Sequence, residues 1–274
     1  MSLAQPMARP RGALLHGLLI ILCWLILAFG STVLAPYDPA AGNDLLALQP
    51  PSALHWFGSD NLGRDVLSRT MYAGRLDIAM AVLAVFPPFV IGSVIGLLGG
   101  YFGGVLDYLP MRLLDVTGSF PYFFLILAVI SVIGPGLSGF FVAVTVVGWV
   151  GYARSMRDQT RELKRSEFVT AARCLGFSRA RILLLHILPN AILPATILAI
   201  SDMSIMLVLG VSLNYLGLGV QPPAVDWGRM VSEGQAYLAQ AWWTCFFPGA
   251  AIVLLALGFR LLADGLMEWL RIEV

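Results

Sequence analysis

Charge is what this chain has least of. Acidic and basic residues together make up 12% of its 274 positions, against 58% for hydrophobic ones. A soluble domain carries about 25% charge, so an ordinary water-soluble fold is excluded. Residues 78–106 and 116–153 hold no acid or base other than tyrosine. Cysteine is also sparse. Cys23, Cys174 and Cys245 are scattered, with no CxxC spacing and no disulfide framework. They are expected as small buried hydrophobes. His16, His55 and His186 share no metal-ligand spacing, which argues against a protein-built metal site. No GxxxxGK[ST] phosphate loop occurs, so the chain has no ATPase site of its own. No nucleophile–base constellation marks a membrane enzyme. The net charge of +1, with cations segregated by loop, gives no face for nucleic acid.

Long apolar runs are what it has instead. A membrane span needs about 20 apolar residues, and open strands cannot cross lipid without unsatisfied backbone groups. The chain therefore reads as an all-α, polytopic membrane protein with six transmembrane helices, over residues 13–35, 78–101, 113–133, 140–153, 191–211 and 243–262. The first run follows Arg9 and Arg11. It exceeds the roughly 7–15 residues of a signal-peptide core, so it is read as an uncleaved span. With the N-terminus inside, 13 of the 17 cations fall in inner segments and four, Arg64, Arg69, Arg75 and Arg229, in outer ones. That bias places both termini in the cytoplasm. The expected organisation is a cytoplasmic segment 1–12 and a transmembrane domain 13–274. The domain has outer loops at 36–77 and 212–242 and a cytoplasmic loop at 154–190. Trp149 and Tyr152 are expected at an inner boundary, and Trp242 and Trp243 at an outer one. Glycines at 92, 96, 100 and 104 form a ridge that lets a helix approach closely, either within the chain or from a second subunit. Pro87–Pro88 in the same helix predicts a kink.

The 154–190 loop holds eight cations beside the bilayer core, from Arg154 to Arg181. Ser166 is a candidate N-cap, and Glu167 suits the positive end of a short helix. Gly176 suits a left-handed stop. Ser178 can cap a second helix from Arg179 to about Leu188, which Pro189 is expected to end. Small side chains at Ala171 and Ala172 suit insertion into a groove on a partner, with Arg173, Arg179 and Arg181 available to acidic groups or lipid phosphates. An amphipathic interfacial helix is the alternative reading.

Glu167, Ala171, Ala172, Gly176, Ile187, Leu188 and Pro189 stand at the spacing of a known hallmark. The loop resembles the coupling loop of permease subunits of binding-protein-dependent ABC importers. The segments from His55 to Arg69, from Tyr215 to Pro223 and from Asp226 to Gly228 are similar to the dipeptide, oligopeptide and nickel branch. So are the stretches Ala35 to Pro39 and Phe102 to Asp107. The short first outer loop suits the C-type permease of such systems. The tail departs from the branch: Asp264 is kept, but the usual Asp-Pro ending is absent.

The resemblance implies a type I ABC importer permease fold in the bacterial inner membrane, moving short peptides, nickel or a metal chelate. It implies a second homologous permease, two cytoplasmic ATPase subunits that bind ATP and Mg, and an extracytoplasmic solute-binding protein. No cofactor is expected on this chain. Docking and coupling would then fall to Glu167, Ala171, Ala172, Arg173, Gly176, Arg181, His186 and Pro189. Asp202 is the single ionisable residue of the fifth span. At a bilayer centre it would cost about 2.5–3.5 kcal/mol, so it must face protein or water. Asp202, Met206 and Asn214 are candidates for a cargo path, although Asp202 reads more naturally as making a packing hydrogen bond to a neighbouring helix. Met203 and Met206 read more naturally as packing residues than as soft-metal ligands. A secondary transporter acting alone, or a non-transporting scaffold, remains the alternative. The first would predict paired membrane charges and an inverted repeat, and neither is evident.

Overall fold

The computed structural model describes residues 10–221 and 224–270. Arg9, Arg271, the residues after Leu270, and Pro222–Pro223 lie outside them. In chain order the helices are α1 (Pro10–Phe29), α2 (Ser31–Leu34), α3 (Val66–Phe102), α4 (Val105–Gly118), α5 (Tyr122–Ile133), α6 (Leu137–Leu163), α7 (Glu167–Cys174), α8 (Arg179–Arg181), α9 (Leu188–Tyr215), α10 (Trp227–Gln235) and α11 (Trp243–Leu270). A π-helical stretch, Ile182–Ile187, joins α8 to α9. Among the described residues no strand forms.

Five helices are long and apolar enough to cross a membrane, and a sixth crossing exists if α4 and α5 count as one. Those two helices meet at 97°, so the third expected span is bent into two helices rather than being one straight crossing. Pro121 supplies the reason. It has no N–H to donate and disfavours helical backbone at the preceding Phe120. Single α4 and α5 segments of 14 and 12 residues are each too short to cross.

Other boundaries move outward. The second span begins at Val66 rather than near residue 78, because Asp65 accepts from the Ser68 backbone N–H at 2.8 Å and starts the helix there. The final third of the expected 36–77 loop is therefore helix. The fourth span, read as short, runs 27 residues from Leu137 to Leu163. Helix α3 passes through Pro87–Pro88 without a break in helix assignment. At 37 residues it is about 55 Å long, well beyond a hydrocarbon core of about 30 Å.

Glycine decides how these helices pack. A β-carbon on Gly92 would lie 2.7 Å from the Tyr152 β-carbon, and one on Gly100 would lie 2.7 Å from the Arg157 carbonyl oxygen. One on Gly96 would lie 2.9 Å from the Met156 β-carbon. The ridge is thus an intramolecular seam between α3 and α6, not a face kept for another subunit. Gly104 is not part of it: it precedes α4 with φ +59° and open space around it. A second seam joins α1 and α11, where a β-carbon on Gly17 or Gly265 would lie 2.5 Å from the backbone nitrogen of Leu262 or Leu14. Leu15, Leu19, Leu22 and Ile26 remain exposed on α1, as a lipid-facing helix requires. Cys23 and Cys174 are exposed too, contrary to the expectation of burial, and Cys245 is half-buried.

One end of the bundle carries a polar cap built from residues 36–65, 216–221 and 224–242. Asp60 accepts from the backbone N–H groups of Leu62 and Arg64, each at 2.9 Å, and from the guanidinium groups of Arg64 and Arg69. Glu233 on α10 receives Arg229 at 2.8 Å and both Arg64 and Arg69 at 3.2 Å. His55 bonds Asp65 at 2.9 Å. Trp227, fully buried, donates its ring N–H to the Thr70 carbonyl and its backbone N–H to Asp77. Trp243 is also buried, its ring N–H on the Ser59 carbonyl at 3.0 Å, whereas Trp242 alone of that pair is exposed. The segment from His55 to Arg69 is therefore a folded plug over the helix ends rather than a free loop. Burial raises the Glu233 pKa, but Arg229, Arg69 and Arg64 outweigh it and hold the carboxyl below the usual glutamate range.

Two predictions follow from this packing. Gly96→Leu should lower stability by about 1–3 kcal/mol or more through overpacking. Gly118→Ala, which meets open space, should be close to neutral. Denaturant titration of the purified protein checks both. Glu233, with its folded pKa depressed, contributes stability that is present above its unfolded pKa and lost as pH falls through the folded value. Melting temperature should drop over that acid range in the wild type, and the drop should shrink in Glu233→Gln.

Candidate coupling element and membrane cavity

At the end of the bundle opposite the polar cap, α6 runs past the apolar core into Arg157, Arg161 and Lys164. Asp107, at the start of α4, takes both Arg157 and Arg161: Nη2 of Arg157 lies 3.0 Å from its Oδ2. The Lys164 ammonium reaches the Tyr101 carbonyl at 2.5 Å, satisfying an orphan acceptor in the last turn of α3. These contacts fix the chain where it leaves the helices.

Helix α7 then begins at Ser166, which has N-cap backbone geometry. Its hydroxyl does not cap α7, however. It donates back to the Leu163 carbonyl at 2.6 Å. The helix ends in a Schellman turn. The Phe177 N–H bonds the Ala172 carbonyl at 3.2 Å and the Gly176 N–H bonds the Arg173 carbonyl at 2.9 Å, with Gly176 at φ +80°. Ser178 then caps the next helix by accepting from the Arg181 N–H at 3.3 Å.

Val169 and Ala172 face inward and join Leu97, Tyr101, Met156 and Ile182 in one apolar cluster. Ala172 is therefore an anchor and not a contact surface. Glu167, Phe168, Ala171, Arg173, Leu175 and Gly176 face outward. Arg181 and His186 both engage Phe177: the guanidinium lies 4.2 Å from the ring centroid and the imidazole stacks at 5.7 Å. His186 Nε2 is buried with no partner among the described residues.

Pro189 does not end the second helix. From Arg179 the chain stays helical to Tyr215. A proline ring inside an α-helix collides with the carbonyl four residues back. Here the turn before it is widened to π geometry, and Leu188 donates to Leu183, five residues back. The widened turn carries the helix across the proline.

Deeper in the bundle, α3, α4, α5, α6 and α9 line a partly open cavity of about 500 Å³. Val85, Pro88, Phe120, Val147 and Met206 give it apolar walls, and Asp202 with Tyr152 gives it a polar point. Asp202 Oδ2 accepts from the Tyr152 hydroxyl at 2.6 Å, a bond between α9 and α6. The Tyr122 hydroxyl is buried without a partner among the described residues. Tyr152 is thus a cavity residue. Met206 lines the cavity, but Asn214 does not. Asn214 accepts from the Val220 N–H at 2.8 Å and closes the turn after α9. The two tyrosines escaped the sequence reading because an aromatic in an apolar run gives no sign of the carboxylate it will meet.

Residues 92–272 match the family described as "Binding-protein-dependent transport system inner membrane component". Full-length similarity extends further. The chain is 35% identical over 252 residues to the dipeptide transport system permease protein of Alkalihalophilus pseudofirmus, covering 92% of this chain and 83% of that one. It is 35% identical over 252 residues to the oligopeptide transport system permease protein of Bacillus subtilis, with the same coverage. It is 38% identical over 251 residues to the glutathione transport system permease protein of Escherichia coli O1:K1, covering 91% and 83%. Its apolar helices and these matches agree: the chain belongs to the inner membrane components of binding-protein-dependent transport systems, the permease subunits of ABC importers.

Proposed function

We propose that this chain forms one half of the conducting path of an importer for short peptides, and that the 166–190 segment couples it to ATP hydrolysis elsewhere. The observation that carries the reading is the continuous helix from Arg179 to Tyr215. It joins an outward-facing docking surface to the carboxylate-bearing wall of the cavity. A displacement at one is thereby felt at the other. The relatives reported above act on dipeptides, oligopeptides and glutathione, which favours a peptide cargo over nickel or a metal chelate.

Two cytoplasmic ATPase subunits, holding ATP and Mg, would receive α7 and its Schellman turn. A second permease would complete the path, and a solute-binding protein would deliver cargo to the polar cap. Both termini would then lie in the cytoplasm. Glu167, Phe168, Ala171, Arg173 and Leu175 form the surface offered to the ATPases, and Val169 and Ala172 hold it to the bundle. Nucleotide shifts the inward–outward equilibrium only through differential affinity, and moving it from 1:99 to 99:1 needs about 5.5 kcal/mol. An element fixed by a buried cluster and by capped turns is suited to carry a load of that size. A secondary transporter acting alone would have no use for this outward-facing loop.

Gly176→Val places a β-branched residue in left-handed backbone, at a strain of about 1–3 kcal/mol. Nothing else crowds the position. The variant should insert normally, yet peptide uptake per ATP hydrolysed in proteoliposomes should fall several-fold. Unchanged coupling would refute the docking role. Gly151 lines the cavity with open space around it. Gly151→Phe should fill that space and abolish uptake while the purified complex keeps its melting temperature. Normal uptake would place the path elsewhere.

A further inference from the structure

We infer that Asp202 is the contact that this permease makes with the protonated amino group of its cargo. The inference rests on the reading of the cavity as the cargo path.

The argument is one of unsatisfied capacity. An ionised carboxylate has two oxygens and about four acceptor positions. Tyr152 fills one position on Oδ2. Oδ1 accepts no hydrogen bond from any described residue, and Asp202 is half-buried at the cavity wall. No lysine, arginine or histidine lines that cavity. An anion in apolar surroundings, with one neutral donor and no cation, is incompletely paired. Tyr122 is a residue of the same wall, but its hydroxyl is buried beside Gly148 and does not face the space. A helix-packing role accounts for the Tyr152 bond but leaves the Oδ1 atom unused.

A ligand that satisfies it is a compact cation with several N–H donors. The amino end of a short peptide is such a group. Its α-amino group is largely protonated at neutral pH. The remaining walls, among them Val85, Pro88, Val147 and Met206, are apolar and make no demand on side-chain chemistry. The site would therefore select for a free amino end and tolerate varied side chains.

Carbodiimide labelling of Asp202 in the assembled complex, located by mass spectrometry, tests this without help from the binding protein. Glycylglycine at roughly ten times its Kd should reduce labelling about tenfold by occupancy. N-acetylglycylglycine, which lacks the cation, should not. No labelling in the absence of peptide, no protection by either peptide, or equal protection by both would overturn the inference. In transport, Asp202→Asn should lower dipeptide uptake about tenfold, with Asp202→Glu retaining most of it. Failure of Asp202→Asn to assemble would instead make the carboxylate a partner of the neighbouring permease and overturn the assignment. The Gly151→Phe variant tests the cargo path on its own, so the two readings can fail separately.

Discussion

The backbone-to-backbone contact of α3 with α6 governs the rest of the molecule. Gly92, Gly96 and Gly100 remove every side chain from one line of α3. In lipid no hydrophobic force drives one helix against another, so close van der Waals approach has to hold them. That approach sets the depth and rotation of α6. From it follow the position of Tyr152 in the cavity and of Arg157 and Arg161 over Asp107. The same seam ends beside Tyr101, where Lys164 and the apolar anchor of α7 attach. The cavity and the docking surface are thus registered to a single contact between two helices.

Much of this was legible in the sequence. The absence of charge over long runs announced the helices, because hydrocarbon admits little else. The glycine spacing announced a seam. Gly176 announced its turn, since its φ of +80° is one that few other residues adopt. Helix ends were less legible. Arg69, Thr70 and Asp77 look like loop residues, yet they are buried in the first turns of α3 because the polar cap supplies their partners. Pro189 looks like a terminator, and local π geometry neutralises it. Pro121 gave the opposite surprise, bending a segment whose hydrophobicity is continuous. Hydropathy reports which residues tolerate lipid. It does not report which tertiary partners await a polar or proline residue.

The candidate site divides in the same way. The outward residues of α7 could be read as a surface from their chemistry, but only the fold separates Ala171, exposed, from Ala172, an anchor. Asp202 stood out as a lone charge, whereas Tyr122 and Tyr152 became relevant only when the bundle brought them to it. Asn214 shows the converse. It is a polar residue in a membrane helix whose amide serves a turn at the helix end.

The helix through Pro189 has a geometric consequence. Arg179 and Asp202 are 23 residues apart on it, or about 35 Å at the usual rise. A tilt of about 5° about one end would move the other by about 3 Å, the length of one hydrogen bond. A small lean of α9 would thus break and remake the Tyr152–Asp202 contact while repacking that helix against α3, α6 and α11.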